Sequence, residues 1–186
     1  MKLIKDNHID SGHFHAWCRY DPTSWKHYAY LFASIMVCKI RRFKSVTTHL
    51  PLELQHHIYP RRKKGERLIK FGEFLAALIQ VNLYWENAPL FNFGTWDLKH
   101  GQIEWELVPK NIPLCFDTGH AMLGAKSSEK ARESILTIFK KRAGQIKHLH
   151  VHENDLIHDT HTTPNKIITK ELLLEITKGK TYIFEK

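Results

Sequence analysis

Residues 146–161 read IKHLHVHENDLIHDTH and gather five histidines with Glu153, Asp155 and Asp159. Period-two alternation along a strand sends His148, His150 and His152 to one face. Imidazole nitrogen with carboxylate oxygen is a donor set that suits zinc, manganese or iron. A lone His-x-His is as readily a surface cluster. Here the motif has company: His15, His49, Glu86 and Asp117 lie upstream, and Glu185 follows the last apolar run.

Those residues need elements that bring them together. Strands are predicted over 14–17, 43–48, 81–85, 113–116, 146–151 and 181–184. Helices are predicted over 22–40, with Pro22 in the first turn, and over 66–80, with Leu68, Phe71, Leu75 and Leu78 on one face. Further helices are predicted over 97–108, over 128–143, with Ala131, Ile135, Ile138 and Phe139 on one face, and over 167–177. Strand and helix in alternation imply a parallel sheet built from βα units. Each of the six strands ends in a histidine or an acid: His15, His49, Glu86, Asp117, His150 and Glu185. Ligands donated from the carboxyl ends of many strands fit a (β/α)8 barrel. An open doubly wound sheet would concentrate its site at one switch point.

The 186 residues amount to one domain, 1–186, long enough to bury a core. Cys18, Cys38 and Cys115 form no CxxC pair, so neither a disulfide framework nor a thiolate zinc site is expected, and Cys115 reads as core packing. There is no GxGxxG and no P-loop, which excludes the common nucleotide cofactors. No apolar run approaches the roughly 20 residues of a membrane span, and MKLIKDNHID lacks a signal-peptide core. A cytoplasmic protein without a membrane partner is therefore expected. The formal net charge of +9 is compatible with an anionic partner. The sharpest basic run, Arg61-Arg62-Lys63-Lys64, has no interleaved aromatics and reads as a solvated helix start. His56, His57 and His100 read as surface histidines.

WENAP at 85–89, CFDTGHAMLG at 115–124, HVHENDLIHDTH at 150–161 and YIFE at 182–185 resemble the xylose isomerase-like TIM-barrel superfamily. That superfamily holds sugar phosphate isomerases and epimerases together with endonuclease IV-type nucleases. The resemblance runs in order from about His13 to the C-terminus. It implies a metal site of Glu86, Asp117, His150 and Glu185, filled by manganese, zinc, cobalt or magnesium. It implies that His120 contacts substrate in the epimerases and metal in the nucleases. It implies that His15, His49, Asp159 and His161 correspond to the extra ligands of a three-zinc cluster. The His-x-x-acid pattern of the family's strand ends fits His150-Val151-His152-Glu153, which favours His150 and leaves His152 as the alternative ligand. His13 is the alternative to His15. Trp17 and Tyr20 are placed in a substrate loop or in packing.

The resemblance departs in two places. Two βα units before His15 and a helix after Glu185 are missing, so the expectation is a partial barrel of about six βα units whose raw edges favour self-association. THTTPNKI also replaces the family's Gly-Glu-Gly after the Asp-x-His loop. The implied chemistry is isomerisation or epimerisation of a small sugar or sugar phosphate. Proton transfer would run through a metal-stabilised enediolate, with Glu86 and Glu185 as acid and base and His120 orienting an oxygen. The alternatives are a zinc-dependent apurinic-site phosphodiesterase acting on nucleic acid and an inactive metal-binding fragment.

Overall fold

In the computed structural model the described residues are 12–16, 24–56, 61–88, 91–92, 95–96 and 103–185. They fall into two compact units, one of residues 12–86 with 104–113 and one of residues 87–103 with 114–185.

The first unit opens with β1 (His13–Ala16), followed by α1 (Trp25–Ile40), β2 (Ser45–His49), a 3-10 turn (Leu52–Leu54), α2 (Arg62–Ile79) and β3 (Asn82–Glu86). Its three strands pair in parallel, with His15 opposite Thr47 and His49 opposite Glu86. Leu31, Ile35 and Cys38 of α1, Leu68 and Leu75 of α2, and Val46, Leu83 and Trp85 of the strands form its core. Period two in β3 turns Leu83 and Trp85 toward α2, and the Trp85 indole donates to Glu73 Oε1 at 2.7 Å.

Helix α2 begins at Arg62, four residues earlier than the apolar pattern suggests. Arg62 reaches Glu66 Oε1 at 3.1 Å and donates to the Leu107 carbonyl at 2.8 Å, which draws the basic run into the first turn. Gly65 lies within the helix where a β-carbon would stand 3.0–3.3 Å from Leu54 and Pro51. The buried stripe of α2 is Gly65, Leu68, Ile69, Gly72, Leu75 and Ala76. Leu78, expected on that face, is 68% exposed. At 100° per residue it lies about 120° round the helix from Gly72, the middle of the buried stripe. Phe71 lies beside the stripe, its ring meeting Tyr28 edge-on at 5.2 Å.

A β-carbon at Gly72 would stand 2.9–3.0 Å from Leu31, Leu83 and Trp85. Gly72→Ala should therefore destabilise the fold by about 1–3 kcal/mol through overpacking. Its urea midpoint should fall at unchanged m-value.

Ser24 caps α1, its side chain accepting from the Lys26 amide, so the helix starts at Trp25. Pro22, Trp17, Tyr20, Cys18, His57 and His100 lie outside the described residues. The expected helix over 97–108 is not found in its described part, where 105–107 form a turn closed by the Leu107 amide on the Glu104 carbonyl at 2.9 Å. His56, expected at the surface, is buried at 1% exposure. The preceding Gln55 holds the turn by donating to the Leu50 carbonyl at 2.8 Å.

The second unit starts with a short antiparallel pair, β4 (Phe91–Asn92) with β5 (Thr95–Trp96). Its main body is β6 (Leu114–Asp117), α3 (Thr118–Met122), α4 (Ser128–Arg142), β7 (Ile146–Val151), α5 (Lys170–Thr177) and β8 (Thr181–Phe184). β6, β7 and β8 pair in parallel, with Asp117 opposite His150 and Val151 opposite Phe184. Ser127 and Thr169 cap α4 and α5. The α4 face predicted from sequence, Ala131, Ile135, Ile138 and Phe139, is buried, as is Cys115. No described helix is long and apolar enough to cross a membrane.

Candidate metal centre

All six expected strand-end residues sit where βα units place them, within or just past the carboxyl ends of six parallel strands, three in each unit.

In the first unit Glu86 is fully buried and ends β3. His15 Nε2 lies 3.0 Å from Glu86 Oε2, and His49 Nε2 lies 3.8 Å from Oε1. The two imidazoles meet edge-on at 5.6 Å. His13 shares the face of His15, but its Nδ1 lies 2.9 Å from Ser45 Oγ. The structure thus brings His15, rather than His13, to the acid.

In the second unit two donor groups adjoin. Asp117, His150 and Glu185 form the first. His150 Nδ1 lies 3.0 Å from Glu185 Oε1 and 4.0 Å from Asp117 Oδ2. Asn87 pins the Asp117 backbone from both sides, donating to its carbonyl at 2.9 Å and accepting from its amide at 2.8 Å. The Asp117 side chain also caps α3, accepting from the His120 amide at 2.6 Å.

The second group is His120, His152, Asp159 and His161. One donor atom from each lies within 4.8 Å of the others. His120 Nε2 is 3.3 Å and His161 Nε2 3.0 Å from Asp159 Oδ2. The His152 and His161 rings stack at 4.1 Å. His161 has a left-handed backbone, φ 46°, which a non-glycine residue adopts at a cost.

His152 belongs to both groups. Its Nε2 lies 3.1 and 3.2 Å from the Asp117 oxygens, and its Nδ1 lies 3.8 Å from Asp159 Oδ1. Both His150 and His152 therefore approach Asp117 and Glu185, the latter pair at 3.9 Å for His152. Burial disfavours the charged His152 ring, but the Asp117 carboxylate outweighs it, so His152 holds its proton more firmly than an ordinary imidazole. Burial also opposes the charge on Asp159, yet the bonds from His120 and His161 hold its carboxyl well below the usual carboxylate range.

The second-unit donors fit a divalent cation. Asp117, Asp159 and Glu185 bring carboxylates into a largely buried space lined by imidazoles. Zinc at about 2.0–2.2 Å from N and O donors would need only a modest closing of atoms that already lie within 4.8 Å. Asn87 and Thr118 support the centre without belonging to the expected donor set. Thr118 Oγ1 bonds the His152 carbonyl at 2.9 Å and amide at 3.2 Å, holding the strand end to α3. The only sequence signal for either was its place beside a predicted ligand.

No protein-family model matches the chain, and no curated protein matches it in sequence. Solved structures do match. One is a D-tagatose 3-epimerase-like protein, 19% identical, aligned over 94% of this chain and 70% of that one with a TM-score of 0.57. The chain shares the α/β fold of these structures and corresponds to part of a TIM barrel. A second match is the TTHB071 protein from Thermus thermophilus, solved after soaking with ZnCl2. It is 15% identical over 92% of this chain and 69% of that one, with a TM-score of 0.56. At these identities the likeness speaks for the fold alone.

Proposed function

We propose that the chain is a divalent-metal-dependent protein of the sugar isomerase and epimerase type, acting on a small sugar or sugar phosphate. The observation that carries this reading is the convergence of Asp117, His150 and Glu185 from three adjacent parallel strands, with Glu185 3.0 Å from His150. The likeness to a protein described as D-tagatose 3-epimerase-like supports it.

A bound divalent cation would polarise a carbonyl and its neighbouring hydroxyl and so acidify the intervening C–H. Glu185, 11% exposed at its side chain, would take that proton. His120 has its Nδ1 2.8 Å from the Asn87 carbonyl, which fixes the ring and aims Nε2 toward Asp159, where it can orient a substrate oxygen. Glu86, held by His15 in its own unit, is the acid to which the resemblance assigns the returning proton.

Glu185→Gln keeps an oxygen donor and loses the base. It should retain bound metal and lose ketose epimerisation by about 10²–10⁴-fold. Unchanged turnover, or loss of metal together with activity, would remove Glu185 from this role.

A second reading has its own observation. The group of His120, His152, Asp159 and His161 offers a further cation site, as zinc-dependent phosphodiester hydrolysis would use, and the +9 charge suits a phosphate substrate. Elemental analysis of monodisperse protein separates the two. One ion per chain favours the sugar reading. About three zinc ions with cleavage of an abasic duplex favours the nuclease, and no bound ion speaks for a binding-inert barrel.

A further inference from the structure

Residues 155–166 carry Asp159 and His161, yet none of the twelve is buried. A cavity of about 440 Å³ lies against this loop, lined by Glu153, Asn154, Leu156, Thr162 and Lys166 among others. Apolar packing therefore does little to place the two donors. A loop with few buried contacts should open easily unless polar bonds hold it, and His161 sits in it with a left-handed backbone.

Polar bonds are concentrated at the loop's two ends, and one side chain joins them. Glu153, 3% exposed, lies two residues past the end of β7. Its carboxylate accepts the backbone amides of Asn165, Lys166, Ile167 and Ile168 at 2.5–3.1 Å. Its own backbone pairs with Thr162 through two bonds of 2.8 Å. From the other side Arg132 of α4 donates to the carbonyls of Ile167 and Lys166 at 3.0 and 3.1 Å. A carboxylate offers several acceptor positions and no donor, which suits converging N–H groups. An amide of the same shape would turn an NH₂ toward them.

We propose that Glu153 is the positioning residue of this centre: by clamping the amides of 165–168 it fixes where Asp159 and His161 meet His120 and His152. Its consequence for metal binding rests on the metal-centre reading above. The loop-holding role does not.

The test compares wild type, Glu153→Gln, Glu153→Asp and His161→Ala, using Co(II) as the probe. Cobalt affinity, the visible absorption of the bound ion and amide hydrogen exchange across 155–166 are read together. Glu153→Gln should keep its far-UV CD, bind cobalt 10–100-fold more weakly with an altered spectrum, and exchange faster in 155–166. Glu153→Asp, which keeps the charge, should recover part of each loss. Wild-type affinity, spectrum and exchange in Glu153→Gln overturn the proposal. If even the wild type binds no cobalt, the metal reading fails, and exchange decides alone: faster exchange in 155–166 supports the clamp and unchanged exchange overturns it. Should Glu153→Gln not fold, Glu153→Asp and Arg132→Gln take its place, and wild-type loop exchange in both is the overturning result.

Discussion

Gly119→Ala should dismantle the centre from a position that donates nothing to it. Gly119 lies in α3, between the residue that ends β6 and His120. A β-carbon there would overlap the imidazole ring of His152, meeting its Cε1, Nδ1 and Nε2. His152 is fully buried and lies against Asp117 and Asp159, so a shift of its ring disturbs those contacts. The Gly119 carbonyl also accepts from Asn154 at 2.8 Å, so the helix cannot easily back away. Overpacking of this kind costs about 1–3 kcal/mol, and displacement of a ligand should weaken divalent-ion binding by 100-fold or more. The cause can be isolated by a double-mutant cycle. In a His152→Ala background Gly119→Ala should cost far less stability than in the wild type. Equal cost in both backgrounds would mean that the ring is not what the methyl meets.

The strands and the acids that end them were legible from sequence. Ile146–Val151 and Thr181–Phe184 are found at their predicted bounds: in the first, imidazoles alternate with Leu149 and Val151, in the second Tyr182-Ile183-Phe184 is a short apolar run, and each begins two residues after a glycine. Asp117 and Glu185 stand out because an acid at the end of an apolar strand has few packing reasons to be there. His13 and His15 could not be separated, since they share parity and period two cannot choose between them. The neighbouring strand does so, offering Ser45 to the one, while Glu86 reaches the other. The double membership of His152 was hidden for a related reason: it lies one residue past β7, where alternation no longer sets direction. Glu153 bonds backbone amides, which every residue but proline possesses, so no side-chain pattern announces its partners. Leu78 shows the limit of apolarity as a guide, because an exposed leucine breaks no physical rule.

Asp117→Asn should be the most damaging isosteric change in the second unit, and its cost should depend on pH. The Asp117 carboxylate is fully buried, caps α3 through the His120 amide and faces the Nε2 of His152 at 3.1 Å. Removing one charge from a buried pair typically costs about 3–5 kcal/mol, because the partner is left without compensation. The metal-free protein should show where that energy resides. His152 binds its proton more firmly folded than unfolded, so its contribution is full below about pH 6.5, its ordinary value, and fades as pH rises through the folded value. Asp159 runs the other way: its carboxyl is held below the ordinary 3.8, so its contribution is present above that pH and is lost on acidification. Metal-free wild type should thus be most stable between those limits. Asp117→Asn should lower the plateau and flatten the decline above pH 6.5, since the group that raised His152 is gone. Divalent metal should reverse the alkaline trend, because imidazole binds a cation only after losing its proton. Urea midpoints from pH 4 to pH 8, with chelator and then with zinc, read all three effects. A wild-type midpoint that rises steadily above pH 6.5 in chelator would mean that the Asp117–His152 pair does not stabilise the fold in its charged form.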